Sequence, residues 1–292
     1  RRQRQMCIRD SSNVDALGGN VFGVLLDYGQ NLDVVNLFES DFYKDYCARL
    51  YDYNQKGYIS ADASTDTTAV GELVKAGTLM SYTTGGKPGI KAQETTLTGR
   101  DMTIFQTLDD YIGSTSVAGM PWTIPISAQH KEAAMKFLNE CYSNADVANL
   151  LAWGIEGTHY KIGDDGLATY ADGVDASNSG WNHSMGWMMP NQFLTHVWEG
   201  NDPDLWDKMR DFNNNAKVSK ASGFSFDSTN VANEITAVQN VYNEYQTSVE
   251  YGFVDPETGI AEMNDKMMAA GLQKIIDEKA AQLAAWQEAN KK

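Results

Sequence analysis

Basic residues are scarce in this chain: 23 Lys and Arg stand against 39 Asp and Glu, a formal net charge of -16. Binding to a nucleic-acid backbone needs clustered cations to displace counterions, so a nucleic-acid partner is excluded and a neutral or cationic ligand is favoured. Long apolar runs are missing too. None approaches the roughly 20 residues that cross a bilayer, and the stretch from Gly18 to Asp27 is short and interrupted by Gly and Asp. The three cysteines, Cys7, Cys47 and Cys141, form no CxxC pair, which argues against a disulfide framework and a zinc site. Cys47 and Cys141 read as small core residues. Of the four histidines, His130, His159, His183 and His196, no two are three or four residues apart, so no helical pair of metal ligands is expected. The Gly-rich TTGGKPG run, Thr83 to Gly89, lacks the GxxxxGK[ST] spacing of a phosphate cradle and has Pro88 directly after Lys87, which makes it a turn. No catalytic residue, cofactor or metal is therefore predicted.

What is present is enough apolar content, 42%, for one large or two small folded domains. The first residues do not match the rest. RRQRQMCIRD, Arg1 to Asp10, is Arg-rich, and the chain then turns acidic and Asn-rich. Residues 1–12 are read as a non-native leader and set aside, with the true upstream sequence expected to be missing. A missing signal peptide then says nothing about location.

Val21 to Leu26 reads as a buried strand and Asp41 to Tyr53 as a helix ending before Gly57. Val70 to Ser81 suggests a short helix broken at Gly77 and then a strand. Thr103 to Leu108 and Ser116 to Ile126 read as extended segments. Ala134, Phe137, Leu138, Cys141 and Tyr142 fall on one helical face, which is expected to be core. Ser143 with Asp146 resembles a capping box that starts a second helix ending at Gly154. Lys161 to Gly200 loosens into loops with short strands. Helical periodicity returns at Leu205 to Ala216, at Val231 to Val249, and in a last helix carrying Leu272, Ile275, Ile276, Leu283 and Trp286, with DPETG, Asp255 to Gly259, read as a turn. Strands alternating with helices before a helix-rich ending indicate an α/β architecture.

Met120 to Tyr160 contains E-A-A-x-x-F-L-N from Glu132 to Asn139 and W-G-I-E-G-x-H-Y from Trp153 to Tyr160. The ending carries G-F-x-F-D at Gly223 to Asp227, a Tyr245 to Glu257 element closing on D-P-E, and A-G-L-x-x-I at Ala270 to Ile275. These segments resemble the extracellular solute-binding proteins of sugar ABC transporters, and the ending is similar to the terminal domain of a Gram-positive lipoprotein subfamily. The resemblance covers most of the chain after about Asn13, and members of that subfamily are longer at the N-terminus. It implies a two-lobed periplasmic-binding-protein-like (type II) fold of which this chain is the C-terminal portion, with residues 13–222 in the two-lobed domain and 223–292 as a helical extension. It also implies a monomer outside the cytoplasm on a Gram-positive cell surface. A lipid anchor in the missing N-terminus would be its membrane link, ABC permease subunits its partners, and a carbohydrate, an oligosaccharide, its ligand between the lobes.

Side-chain chemistry points the same way. Sugar rings offer flat C–H faces and a hydroxyl rim, which suit aromatic platforms beside amides and carboxylates. The candidates are Trp181, Trp187, Asn191 and Gln192 in the loosely patterned region, Trp153, Glu156 and His159 after a helix end, and Trp122 in an extended segment. For each, packing or loop-fixing is the competing role; Trp198 shares the loosely patterned region with Trp181 and Trp187 and is weighed with them, and Tyr111 and Ser114 to Ser116 are weaker candidates. A glycoside hydrolase using Asp109, Asp110 or Glu156, and a peptide-binding or sensor protein on the same scaffold, remain the alternative functions.

Overall fold

The computed structural model describes residues 13–116, 121–181 and 191–290. The helices among them are α1 (Asp41–Gln55), α2 (Val70–Lys75), α3 (Ile90–Thr98), α4 (Lys131–Ser143), α5 (Ala145–Trp153), α6 (Leu205–Asn215), α7 (Ala232–Glu250), α8 (Pro256–Ala269) and α9 (Leu272–Ala289). The strands are β1 (Tyr111–Ile112), β2 (Tyr160–Ile162), β3 (Ala168–Tyr170) and β4 (Lys217–Val218). Two compact units result: residues 13–86, 93–116 and 215–290 form the first, and residues 87–92, 121–181 and 191–214 the second.

In the first unit, α1 starts where the Ser40 hydroxyl accepts the Tyr43 N–H (3.2 Å), filling one of the donors that a helix start leaves open. The DPETG segment is not a turn but the start of α8. Asp255 caps the Thr258 N–H at 3.2 Å, and Pro256 occupies the first turn, where its missing N–H costs nothing. Helices α1, α7, α8 and α9 pack together around Phe22, Phe38, Tyr43, Val238, Met263, Met267 and Ile275. The Phe22, Phe38, Tyr43 and Tyr242 rings meet edge-on or tilted at 5.1 to 6.5 Å, a spacing favoured by the ring quadrupole.

Two ionisable side chains, Lys279 and Glu250, lie inside this unit. Lys279 is 1% exposed, and its ammonium donates to the carbonyls of Ala16 (3.1 Å), Asn20 (3.0 Å) and Gly23 (2.8 Å) and to Asn20 Oδ1 (3.0 Å). Burial pulls its pKa down to about 7, against the opposing pull of the Asp15 carboxylate. The Glu250 carboxylate accepts from Tyr43 (3.2 Å), Tyr242 (2.8 Å) and Gln246 (3.1 Å). Burial raises its pKa, and those hydrogen bonds pull it back.

The strand expected at Val21 to Leu26 is buried as foreseen but is reduced to isolated bridges, Val24 with Val35 and Leu25 with Asp15. The chain cannot stay extended there because Leu17, Asp27 and Tyr28 all take positive φ, 55°, 48° and 57°, and bend it at either side. The strand expected at Thr103 to Leu108 also gives way: the pairing lies further on, with Tyr111 and Ile112 parallel to Lys217 and Val218. Residues 121–126 form no strand, since Pro121 and Pro125 have no N–H to give to a ladder; residues 117–120 of that expected segment lie outside the described residues.

In the second unit, α4 runs into α5. Asn144, not Ser143, caps α5, accepting from the Asp146 (3.0 Å) and Val147 (3.4 Å) amides, while the Ser143 hydroxyl bonds back to Asn139 O at 2.8 Å. The face of α4 expected to be core is not: Cys141 is buried, but Phe137 and Tyr142 are 55% and 49% exposed. Strands β2 and β3 form an antiparallel pair with Tyr160 opposite Tyr170. Two small cores support them: Ala152, Trp153, Tyr160 and Ala168 in one, Leu167, Val197 and Leu205 in the other.

Candidate ligand-binding site

The site is built where α5 stops. Gly154 ends the helix at φ 84°, and a Cβ there would sit 2.6 Å from His159 Nδ1, so only glycine permits the tight loop that follows. In that loop the Gly157 N–H donates to Tyr160 O (2.7 Å) and the His159 N–H to Ile155 O (2.9 Å). The Ile155 N–H donates to His159 Nδ1 at 2.9 Å. That acceptor role leaves the proton of the neutral imidazole on Nε2. The His159 ring then faces Trp181 at 5.9 Å and 36°. Trp181 is 40% exposed and its indole N–H reaches Ala152 O at 3.3 Å, so its ring is held while one part stays open to solvent.

Beneath lies a second aromatic group. Trp153 is 8% exposed, donates its indole N–H to His196 O at 3.1 Å, and packs on Trp198 at 4.9 Å. Trp198 meets Tyr170 edge-on at 5.0 Å. The Tyr160 and Tyr170 hydroxyls have raised pKa values, through burial first and then through Glu156 and Asp146 for Tyr160, and Glu199 and Asp175 for Tyr170.

The residues singled out in the sequence divide by position. His159 and Glu156 lie on the α5 end loop and the His159 ring meets Trp181, with Glu156 and Trp181 exposed. Trp153 supports that loop from below. Asn191 is engaged locally: its amide donates to Tyr142 O (2.8 Å) and accepts the Phe193 N–H (3.2 Å), which starts the short turn Gln192–Leu194. Gln192 is half-buried in that turn, and Trp122 is 47% exposed in the segment before α4. Trp187 and His183 lie outside the described residues. Ser114, a weaker candidate in the first unit, is buried and donates both its N–H (2.8 Å) and its hydroxyl (2.7 Å) to Asp15. Tyr170 escaped sequence reasoning; its alternation with Ala168 in a three-residue strand is too short a signal to read. Among the described residues no group of three His, Cys, Asp or Glu side chains is placed to hold a metal ion. No described helix is long and apolar enough to cross a membrane. The surface offers aromatic faces beside an imidazole, amides and carboxylates, which suits a neutral ring with a polar rim.

Residues 220–288 match a family model described as Domain of unknown function (DUF3502). Over 275 residues the chain is 26% identical to a carbohydrate ABC transporter substrate-binding protein of Streptococcus pneumoniae serotype 4, a match spanning 92% of this chain and 55% of that protein. In fold it is similar to the N-glycan transport solute binding protein NgtS of Streptococcus pneumoniae, with a TM-score of 0.84 and 24% identity over 96% of this chain and 62% of that one. NgtS in complex with Man5GlcNAc aligns with a TM-score of 0.75 at 23% identity, over 96% of this chain and 62% of that one. The chain thus spans only part of the length of the relatives it matches. The chain has, as the resemblance implies, a helix-rich portion of the solute-binding-protein fold.

Proposed function

We propose that this chain is part of the extracytoplasmic substrate-binding component of an ABC importer, that it binds an oligosaccharide, and that it delivers this ligand unchanged to a permease. The reading takes in a lipid-tethered monomer on a Gram-positive cell surface, with residues 223–292 as a helical extension and no catalytic turnover. The sequence likeness over 92% of the chain to a carbohydrate ABC transporter substrate-binding protein carries it. The aromatic surface of the second unit gives it a physical basis. Trp181 and Trp122 offer ring faces to sugar C–H groups, Glu156, His159 and Gln192 offer polar contacts, and Trp153 and Asn191 hold these in place. Trp187 is proposed with them from its sequence context. Ligands that contain mannose and N-acetylglucosamine are the first to try, because NgtS was solved with Man1GlcNAc and Man5GlcNAc.

A thermal-shift series with such glycans, with unrelated oligosaccharides and with short peptides tests this, since a ligand that binds only the folded state raises the melting temperature by mass action. One glycan series is expected to raise it and to be recovered intact. A response to peptides alone, or hydrolysis of the glycan, would overturn the reading. Trp181→Ala is expected to weaken glycan binding about tenfold, in line with the 0.5–1.5 kcal/mol that a stacked ring contributes beyond area, while calorimetric unfolding stays near that of the parent chain.

A further inference from the structure

We infer that His159 makes the ligand site proton-sensitive: with a neutral imidazole the loop after α5 holds the glycan, and on acidification the loop rearranges and lets it go. The inference rests on the reading of this surface as the ligand site and adds how that site is regulated. Its basis is one hydrogen bond. The Ile155 N–H donates to His159 Nδ1 at 2.9 Å, and a backbone amide can only donate, so this nitrogen must keep its lone pair. Protonation puts a second N–H on the same line. Two donors then face each other across 2.9 Å, and the contact turns from attraction to repulsion. The ring has little room to absorb the change, because it lies against the end of α5, where a Cβ on Gly154 would meet Nδ1 at 2.6 Å and Cγ at 3.0 Å.

A helix end is also where carbonyls without helical partners gather and where cations are favoured. A protonated imidazole therefore has new acceptors beside it, the last carbonyls of α5, and the loop has two arrangements rather than one. Among those carbonyls, Ala152 O already receives the Trp181 indole N–H at 3.3 Å, and the His159 ring faces Trp181 at 5.9 Å. A shift of His159 thus reaches the open ring that is offered to the sugar. Nε2 carries a proton in both forms, so the effect comes from the loop and not from a donor lost to the ligand. The state that holds ligand has one proton fewer, hence affinity rises with pH through the imidazole range and levels off above it. The other titratable groups around the loop are Glu156 within it, Asp146 at the far end of α5, Tyr160 and Lys161 on β2, Tyr170 on β3, and Asp172 and Asp175 beyond β3. Lys161 is paired with Asp172, Ser177 holds the Asp175 carboxyl low, and burial raises both tyrosines. Carboxylates ordinarily titrate below the imidazole range and phenols and amines above it. His196, whose ring meets Tyr160 at 6.3 Å, is the rival imidazole.

The test has an arm without ligand and an arm with it, each run at about pH 8 and about pH 5.5, on either side of the imidazole range. Without ligand, nitrogen NMR of the histidine rings is expected to place the His159 proton on Nε2 at the higher pH. Amide exchange at Ile155, corrected for its intrinsic dependence on pH, is expected to quicken at least about tenfold at the lower pH as the loop opens. In His159→Asn the side-chain oxygen can take the Ile155 N–H and does not titrate, so protection there should not change. A proton on Nδ1 at the higher pH, or equal protection of Ile155 at both, would overturn the inference whatever the ligand. With Man5GlcNAc as probe, the parent is expected to bind about fivefold more weakly at the lower pH, the worth of one ordinary hydrogen bond. His196→Gln should keep that ratio, and His159→Asn should lose it whatever its affinity at the higher pH. A ratio near one in the parent, or an unchanged ratio in His159→Asn, sinks the inference while the glycan-binding reading stands. A chain that binds no glycan at either pH overturns that reading and this use of the loop with it, and the ring spectra then still decide whether the loop responds to protons.

Discussion

Helix α7 carries Val238, Tyr242 and Val249 along one side and buries all three, whereas α4 carries Phe137, Leu138, Cys141 and Tyr142 at comparable spacing and buries Cys141 alone. The two sequences obey the same periodicity. What differs is supply: among the described elements, α7 packs chiefly on α1, α8 and α9, and α4 chiefly on α5. An amphipathic pattern therefore states a demand for burial and does not say that the demand is met within the chain at hand. The first unit goes further and encloses two ionisable side chains, Lys279 and Glu250, each hydrogen-bonded to groups far away in sequence.

Breaking the well-packed side should have the largest effects. Lys279→Met keeps the volume but leaves the carbonyls of Ala16, Asn20 and Gly23 without their donor. Stability to urea is expected to fall by about 3 kcal/mol, the scale for unpaired buried polar groups. Gly252→Ala comes next. Gly252 has φ 65°, and a Cβ would meet Leu50 O and Tyr51 Cα of α1 at 2.5 Å; backbone cannot yield as a side chain can, and a loss of about 2–3 kcal/mol is expected from strain and overpacking.

The response to pH sharpens the contrast between the two buried charges. Lys279 has an ordinary pKa of 10.5 and a folded value of about 7, so between these the unfolded chain holds more protons. Stability from this group then rises with pH across that window, by up to about 1.4 kcal/mol per unit. Glu250 is raised by burial, so its folded form holds the extra proton above the ordinary carboxylate value, and its contribution rises as pH falls toward that value. Urea curves of the parent, Lys279→Met and Glu250→Gln proteins across this range separate the two. The slope between pH 7 and 9 should vanish in Lys279→Met and persist in Glu250→Gln. The smallest effect belongs to the other region: Phe137→Ser in the 292-residue chain should change stability by less than about 0.5 kcal/mol, as at an exposed position. A loss of the 3–5 kcal/mol typical of a core Phe would show that α4 is covered after all and erase the comparison.

Helices were legible wherever a long stripe met a clear stop, as in α7 before Gly252 and α5 before Gly154. Helix α3 was not, because Ile90–Thr98 is largely polar and threonine-rich. Strands were the weakest reading. Val21 to Leu26 has strand composition, but left-handed residues at Leu17, Asp27 and Tyr28 decide its path, and positive φ at non-glycine residues leaves no mark in a sequence. In the site, Trp181 and Trp153 look alike as letters. Only the fold makes one an open ring and the other its support, because burial depends on which loop returns over α5.

The cage around Lys279 also orders events in time. Its ammonium joins residues 256 to 263 positions apart, and Asn36 and Tyr43 likewise bond to Asn264 and Glu250. The carbonyls of Ala16, Asn20 and Gly23 therefore wait for their ammonium donor until nearly the last part of this unit has followed. Contacts this distant form late and slowly, so the packing of this unit's opening segment on α9 is completed only once nearly all of the described residues have been made.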